Sequence, residues 1–506
     1  MSILIRGAEI IAMDAAHGAK PFTADILIEG ARIAEIGDLA GRTADRVIEA
    51  RGKLAMPGLV NAHMHSPEAL YKGRYDNMPL EIWMLYAYPI LGAQTLPPRL
   101  VYLRTALCAI ESLTTGTTSV TDDVYESPHQ TPEQLEAVVQ AYEDVGLRAT
   151  VSGHVVDRPF LDTIPFAREE VPAALQAKAD ALGATDGAAW LAHCRDAFAR
   201  HHGRAGRINF MVAPSAPQRC TPELMQEADA LAREHGAPFH THILETKMQA
   251  VTGHEFHGET LIAYMDRLGL LNAHTCIAHG IWVTDDDIAR MGAAGCSVAH
   301  NVISNQKLGA GIAPVKRLRR AGVNVALGSD GVSTSDTTRM FAVMHAAGLI
   351  QNVATPDTDL WLSAAEVLEM ATVAGARSAC LGAETGSLEP GKRADILLVD
   401  LDGVPFTPRN DLANHLVYCE TGQSARTAIV NGEVMLEDGR PTRVDPAALL
   451  AELREAMPEF QAAHAETERL NATFHPHFER IHRRANARDV GIHRLGAEPA
   501  WSGEPR

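Results

Sequence analysis

Short runs of apolar and β-branched residues alternate along the chain with longer stretches in which apolar positions recur about every 3.6 residues. Eight of the short runs, at 58–65, 117–122, 148–154, 208–215, 238–244, 275–279, 297–301 and 323–330, are spaced like the strands of repeated β-α units. Between them, 132–144, 222–235 and 285–294 read as helices with acidic residues in their first turns, where the helix dipole favours negative charge. Eight parallel strands predict an α/β fold of the (β/α)8 TIM-barrel type. The competing arrangement, a doubly wound open sheet, calls for a Gly-rich phosphate turn after the first strand, and none is present. The stretch 2–55 has another texture, with β-type runs separated by Gly and Asp turns, and 394–399 and 427–434 repeat it near the other end. The expected organisation is a small β-sandwich domain built from both ends (1–56 and 376–440), a barrel at 57–375 and a mostly helical C-terminal extension at 441–506. In that extension a helix is expected over 445–471, followed by a His- and Arg-rich stretch up to Arg494 that is solvated or touches another subunit.

Composition narrows the partners. With 506 residues and 46% apolar content the chain can bury a large core, and its formal charge of −18 disfavours a nucleic-acid backbone or an anionic membrane. A small molecule is the expected partner. The seven cysteines contain no Cys-x-x-Cys pair, which fits a reducing cytosol. No signal peptide or membrane span is visible at the start or elsewhere, so a cytoplasmic location is expected.

The chemistry is carried by strand ends. In Pro57-Gly58-Leu59-Val60-Asn61-Ala62-His63-Met64-His65, the period of two points His63 and His65 out of one face, as a divalent metal such as Zn²⁺ or Fe²⁺ requires. Strand five then ends in His242, strand six in His279 and strand eight in Asp330, all at the barrel end where working groups gather. Together they make a plausible set of ligands for a hydrolytic metal with one position left for water. His240 shares a face with His242 and is its rival. His254-Glu255-Phe256-His257 is one residue too short for the zinc-protease helix motif, and Gly309-Ala310-Gly311 has no strand before it and no third glycine of a dinucleotide turn.

These residues, with His242-Ile243-Leu244-Glu245, Cys276-Ile277-Ala278-His279, Leu327-Gly328-Ser329-Asp330-Gly331 and the Ser304-Asn305-Gln306-Lys307-Leu308 segment, resemble the amidohydrolase superfamily. The likeness is to its branch of S-adenosylhomocysteine/methylthioadenosine deaminases and triazine hydrolases of the atrazine type. The resemblance implies that His63, His65, His242 and Asp330 hold one divalent metal per subunit, zinc or iron. It also implies that His279 and Asp330 handle the proton of the attacking water, while Glu245 faces the substrate as general acid. A bridging Lys at the end of strand four would mark a two-metal site, and Met211-Val212-Ala213-Pro214-Ser215 has none. A homo-oligomer is implied by the resemblance alone.

Two departures bear on substrate. The purine-contacting His of the branch is replaced in Pro214-Ser215-Ala216-Pro217, and the ribose-binding Glu is missing from Tyr88-Pro89-Ile90-Leu91; both weaken the case for a nucleoside. The expected pocket lining is Trp83, Tyr86, His154, Ser215, Gln218 and Arg219, with Gln218 and Arg219 able to read a carbonyl or carboxylate on a flat ring. The expected function is a metal-dependent aminohydrolase releasing ammonia from a nitrogen heterocycle. Hydrolysis of an alkylamine, chloride, urea or cyclic amide on a related ring is the alternative. A non-catalytic scaffold is the minor one, disfavoured because each expected ligand is present.

Overall fold

The computed structural model describes residues 1–496, so the remainder of the predicted extension lies outside the described residues. Eight parallel strands curl around one axis: β1 (Leu59–His65), β2 (Thr117–Asp122), β3 (Arg148–Val155), β4 (Ile208–Pro214), β5 (Phe239–Ile243), β6 (Thr275–His279), β7 (Ser297–His300) and β8 (Asn324–Leu327). Each pairs with the next in sequence order, and Asp330–Gly331, the continuation of β8, pairs parallel with Met64 and His65 of β1. The sheet therefore closes on itself.

The eighth strand differs from the expected continuous run. It breaks at Gly328-Ser329, where a Cβ on Gly328 would stand 2.3 Å from Asn301 Oδ1 and 2.9 Å from the His63 carbonyl. Ser329 is instead stitched to β1: its N–H donates to Asn61 Oδ1 (2.9 Å) and its hydroxyl accepts from Asn61 Nδ2 (2.8 Å). The interhelical signals act as read. The helix Pro132–Val145 starts with a capping box between Thr131 and Gln134 and stops at the left-handed Gly146; Asp285–Ala294 uses Thr284 and Asp287 and stops at Gly295.

A second, mixed nine-stranded sheet is built from both chain ends. Ser2–Ile10 pairs antiparallel with Phe22–Glu29 and parallel with Lys53–Pro57, which pairs in turn with Ile396–Asp400. Its apolar core includes Ile3, Ile5, Ile10, Ile28, Ile396, Leu398 and Ile429. Gly58 alone separates Lys53–Pro57 from β1, and only glycine fits there because a Cβ would meet Thr118 at 2.1 Å. Arg148, at the start of β3, ties the sheet to the barrel: Nε and Nη2 donate to Asp395 Oδ2 and Oδ1 at 2.6 and 3.0 Å, and both side chains are buried. Arg148→Met leaves Asp395 buried without its cation, so a loss of about 3–5 kcal/mol in denaturant unfolding is expected. Pairing that change with Asp395→Leu should recover much of the loss.

The C-terminal stretch corrects an expectation. The helix Pro446–Asn471 forms as expected with most of its residues exposed or half-buried, whereas His475–Asn486 turns one face onto the rest of the chain. Phe474, Phe478, Ile481 and Ala485 are fully buried against Ile82 and Leu85 of the helix Leu80–Ala87 and against Met248 and Val251 of the helix Lys247–His257. Beyond them Arg494 donates to the carbonyls of Ile281 (3.0 Å) and Val283 (2.6 Å). The basic residues are also spent within the chain, as in Arg480 and Arg484 with Glu170. No helix of the described residues is long and apolar enough to cross a membrane.

Candidate active site

Four imidazoles converge at the carboxyl end of the barrel because each is anchored from behind through Nδ1. Nδ1 of His65 lies 2.7 Å from the Asp123 carbonyl, that of His242 3.0 Å from the Ser215 carbonyl and that of His279 2.9 Å from Asn305 Oδ1. An oxygen partner makes Nδ1 the protonated nitrogen and leaves the Nε2 lone pair free to bind. His63 is held differently, with Nδ1 2.8 Å from Nε2 of His240. His240 thus props His63 from behind, while His242 presents Nε2 3.3 Å from Nε2 of His65.

Asp330 completes the cluster, its Oδ1 3.2 Å from His63 Nε2 and 3.4 Å from His65 Nε2. His63, His65 and Asp330 offer ligand atoms within 4.8 Å of one another, as do His63, His242 and His279. His63 Nε2 is buried and has no hydrogen-bond partner. Imidazole nitrogens with one carboxylate, pre-aimed at one point, fit a divalent metal. The backbone helps to aim them: His279 (φ 77°) and Asp330 (φ 65°) take left-handed conformations at their strand ends, as does Leu244 (φ 54°) just before Glu245.

Electrostatics sort these groups. Burial, reinforced by neighbouring imidazoles, pulls His63 and His242 below the usual histidine range, His240 to about 3 and His279 to about 4. Burial acts the same way on His65, but Glu68, Asp123 and Asp330 outweigh it and raise it to about 9. A cation at the common point would supplant that proton. Burial works against ionised Asp330, yet His279, His63 and His65 hold it well below the carboxylate range. Glu245 goes the other way: burial, then Asp330 and Glu81, push it well above. Its Oε2 lies 3.6 Å from Nε2 of His279. Burial thus moves the two groups in opposite senses, favouring the protonated acid on Glu245 and the neutral imidazole on His279.

These groups open into a cavity of about 1090 Å³. Of the residues expected to line it, Trp83, His154, Ser215 and Arg219 do, and His65, His242, Glu245, His279 and Asp330 form its floor. Two do not. The Tyr86 hydroxyl turns to His475 Nδ1 (2.6 Å) in the C-terminal stretch, and Gln218 is buried with only its carbonyl used, by Arg158. Position on a helix or turn decides these two, and a period of two says nothing there.

Two further acids at the site went unread, Glu68 on the cavity lining and Asp123 buried behind it. Glu68, three positions past His65, accepts from the Tyr88 hydroxyl (2.6 Å) and from the Ser333 hydroxyl (2.8 Å). Asp123 binds His154 Nδ1 at 2.9 Å, which fixes that ring against the cavity. The doubled Asp122-Asp123 at the end of strand two was the available signal.

Comparison with known proteins identifies the relatives of the chain as a whole. The family model described as Amidohydrolase family matches residues 54–435. The chain is 33% identical over 459 residues to a 5'-deoxyadenosine deaminase of Methanosarcina barkeri, covering 90% of this chain and 98% of that one. It is also 33% identical to a 5-methylthioadenosine/S-adenosylhomocysteine deaminase of Caldanaerobacter subterraneus, covering 88% and 95%. Among solved structures, a zinc-bound adenosine deaminase from Xanthomonas campestris superposes with a TM-score of 0.79 at 27% identity over 91% of this chain and 98% of that one. Atrazine chlorohydrolase from Arthrobacter aurescens, complexed with zinc, gives 0.82 at 26% identity over 90% and 100%.

Proposed function

The chain belongs to the amidohydrolase family, and from that premise we propose that it is a metal-dependent aminohydrolase that replaces an exocyclic amino group of a nitrogen heterocycle by oxygen, releasing ammonia. The observation that carries this reading is the pair at the cavity floor, Glu245 Oε2 3.6 Å from Nε2 of His279, where burial raises the pKa of the carboxyl and lowers that of the imidazole. Water adds to the ring carbon readily only when the ring nitrogen is protonated, and Glu245 is the acid placed to give that proton.

His63, His65, His242 and Asp330 would hold one metal, zinc by likeness to the zinc-bound relatives. When bound, that cation makes a water acidic enough to attack an electron-poor ring carbon. The chain's own groups do the rest. Trp83 offers a flat apolar wall for the ring. Nε2 of His279 takes the proton that the attacking water loses, because Nδ1 is engaged with Asn305. Asp330 Oδ2, 3.8 Å from that nitrogen, is the second place to hold it. Glu245 protonates the ring nitrogen as the C–O bond forms. The amino group then takes the proton stored at His279 or Asp330, the C–N bond breaks and ammonia leaves, while the new C–OH gives up its proton as it becomes the carbonyl and that proton restores Glu245.

The same reading keeps a cytosolic homo-oligomer. The amino-bearing nucleosides in the names of the relatives are one ring class to try, although Ser215 and Leu91 stand where the branch would contact purine and ribose. Likeness to a chlorohydrolase favours testing a second reading, in which another group leaves a similar ring. Matched triazines bearing amino, chloro or alkylamino substituents separate the two: release of ammonia alone is expected, and faster release of chloride or alkylamine would replace the deaminase reading.

A further inference from the structure

Arg219 is a guanidinium on the cavity lining with no ion-pair partner among the described residues. It stands on the turn after β4 and lines the cavity beside Trp83, Tyr125 and Glu245. Nη1 is 3.4 Å from Ser215 Oγ, Nη2 rests 3.1 Å from the sulfur of Met84, and the buried Nε has no partner. Glu245 and Glu81 are the acids whose charge it feels most. Glu81 is engaged by the Thr246 hydroxyl at 2.6 Å and lies 3.8 Å from His482, Glu245 lies 3.6 Å from His279, and neither acid forms an ion pair with Arg219.

A second guanidinium belongs to the same wall. Arg158 lines the cavity and donates from Nη1 to the carbonyl of Gln218 (3.3 Å), the residue before Arg219. It too forms no ion pair among the described residues. Arginines elsewhere are commonly paired, as in Arg74 with Glu468 and Arg168 with Asp180. In a chain of net charge −18, two unpaired guanidiniums on one cavity wall are charges left for a ligand. A half-desolvated cation without a partner is costly, and a bound anion removes that cost.

We infer that the substrate carries a carboxylate, bound by Arg219 in a cavity that Arg158 also lines, so that the deaminated ring is an acidic heterocycle. This rests on the deaminase reading for the reaction, but not for the binding. One negative charge suits the site better than the two of a phosphate, because Glu68, Glu245 and Asp330 line the same cavity.

Flat probes test the subsite without knowing the ring. Binding of benzoate, its neutral isostere benzamide, and phenylphosphonate to the zinc-loaded protein is measured by calorimetry for wild type, Arg219→Gln and Arg219→Lys. Benzoate should bind about tenfold or more tighter than benzamide, lose that advantage in Arg219→Gln and keep part of it in Arg219→Lys. Equal binding of benzoate and benzamide would overturn the inference. So would an advantage that survives in Arg219→Gln, since the carboxylate would then be on the metal, and so would tighter binding of phenylphosphonate. Ammonia release plays no part in this readout, so failure of the deaminase reading shows separately.

Discussion

Replacing Glu245 by Gln is expected to lower kcat/KM for ammonia release about a thousandfold while leaving metal content unchanged. The substitution keeps the shape of the side chain and removes the one proton it can deliver. Glu245 is not among the four residues assigned to the metal, although its carboxylate lies within 4.8 Å of the His279 and Asp330 ligand atoms; its Oε2 is 3.6 Å from Nε2 of His279, and its backbone N–H is held by Gln249 Oε1 at 3.0 Å. The loop should therefore keep its form. The acid is poised because burial and the negative charges of Asp330 and Glu81 outweigh Arg219 and raise its carboxyl well above the usual carboxylate range. Steady-state kinetics with metal analysis on the same sample gives the result, and undiminished turnover in the variant would remove Glu245 from the chemistry.

His63→Ala should act on the metal itself. It deletes one imidazole donor, frees the lone pair that His240 spends on it, and loosens the partner of Asp330 Oδ1. Metal affinity is expected to fall by at least about a hundredfold, and activity to background, by competition with a chromogenic chelator and by assay. His240→Ala makes the informative contrast. If His240 only props His63, the loss in affinity stays at roughly tenfold to a hundredfold and saturating metal restores turnover. Equal loss in the two variants would make His240 a ligand.

Much of this site was legible because it lies at strand ends. A period of two places His63 with His65, and the ends of β5, β6 and β8 carry His242, His279 and Asp330 whatever the helices between them do. The rivalry of His240 and His242 could not be read that way, since both share a face; it turns on which one meets His63, 177 residues distant in the chain. The break in β8 is long-range in the same sense, depending on Asn61 at a separation of 268. Tyr86 and Gln218 show the limit on the pocket wall, where helix rotation and turn geometry choose which side chain looks inward. The C-terminal stretch was misjudged because its charges suggest solvent, whereas the apolar stripe of Phe474, Phe478, Ile481 and Ala485 decides where it packs. Arg158 was passed over because nothing local marks it, and only the fold brings it to the wall that Arg219 shares.

The central claim is that one divalent metal at His63, His65, His242 and Asp330 drives deamination of a ring. Its most direct test is ammonia release from amino-purines, amino-pyrimidines, pterins and triazines by the protein as purified, after chelation, and after one equivalent of zinc is restored. The account predicts ammonia from one ring class, lost on chelation and regained with a single equivalent. Ammonia release that continues undiminished in metal-stripped protein, or one bound zinc with no ammonia from any ring, would contradict it.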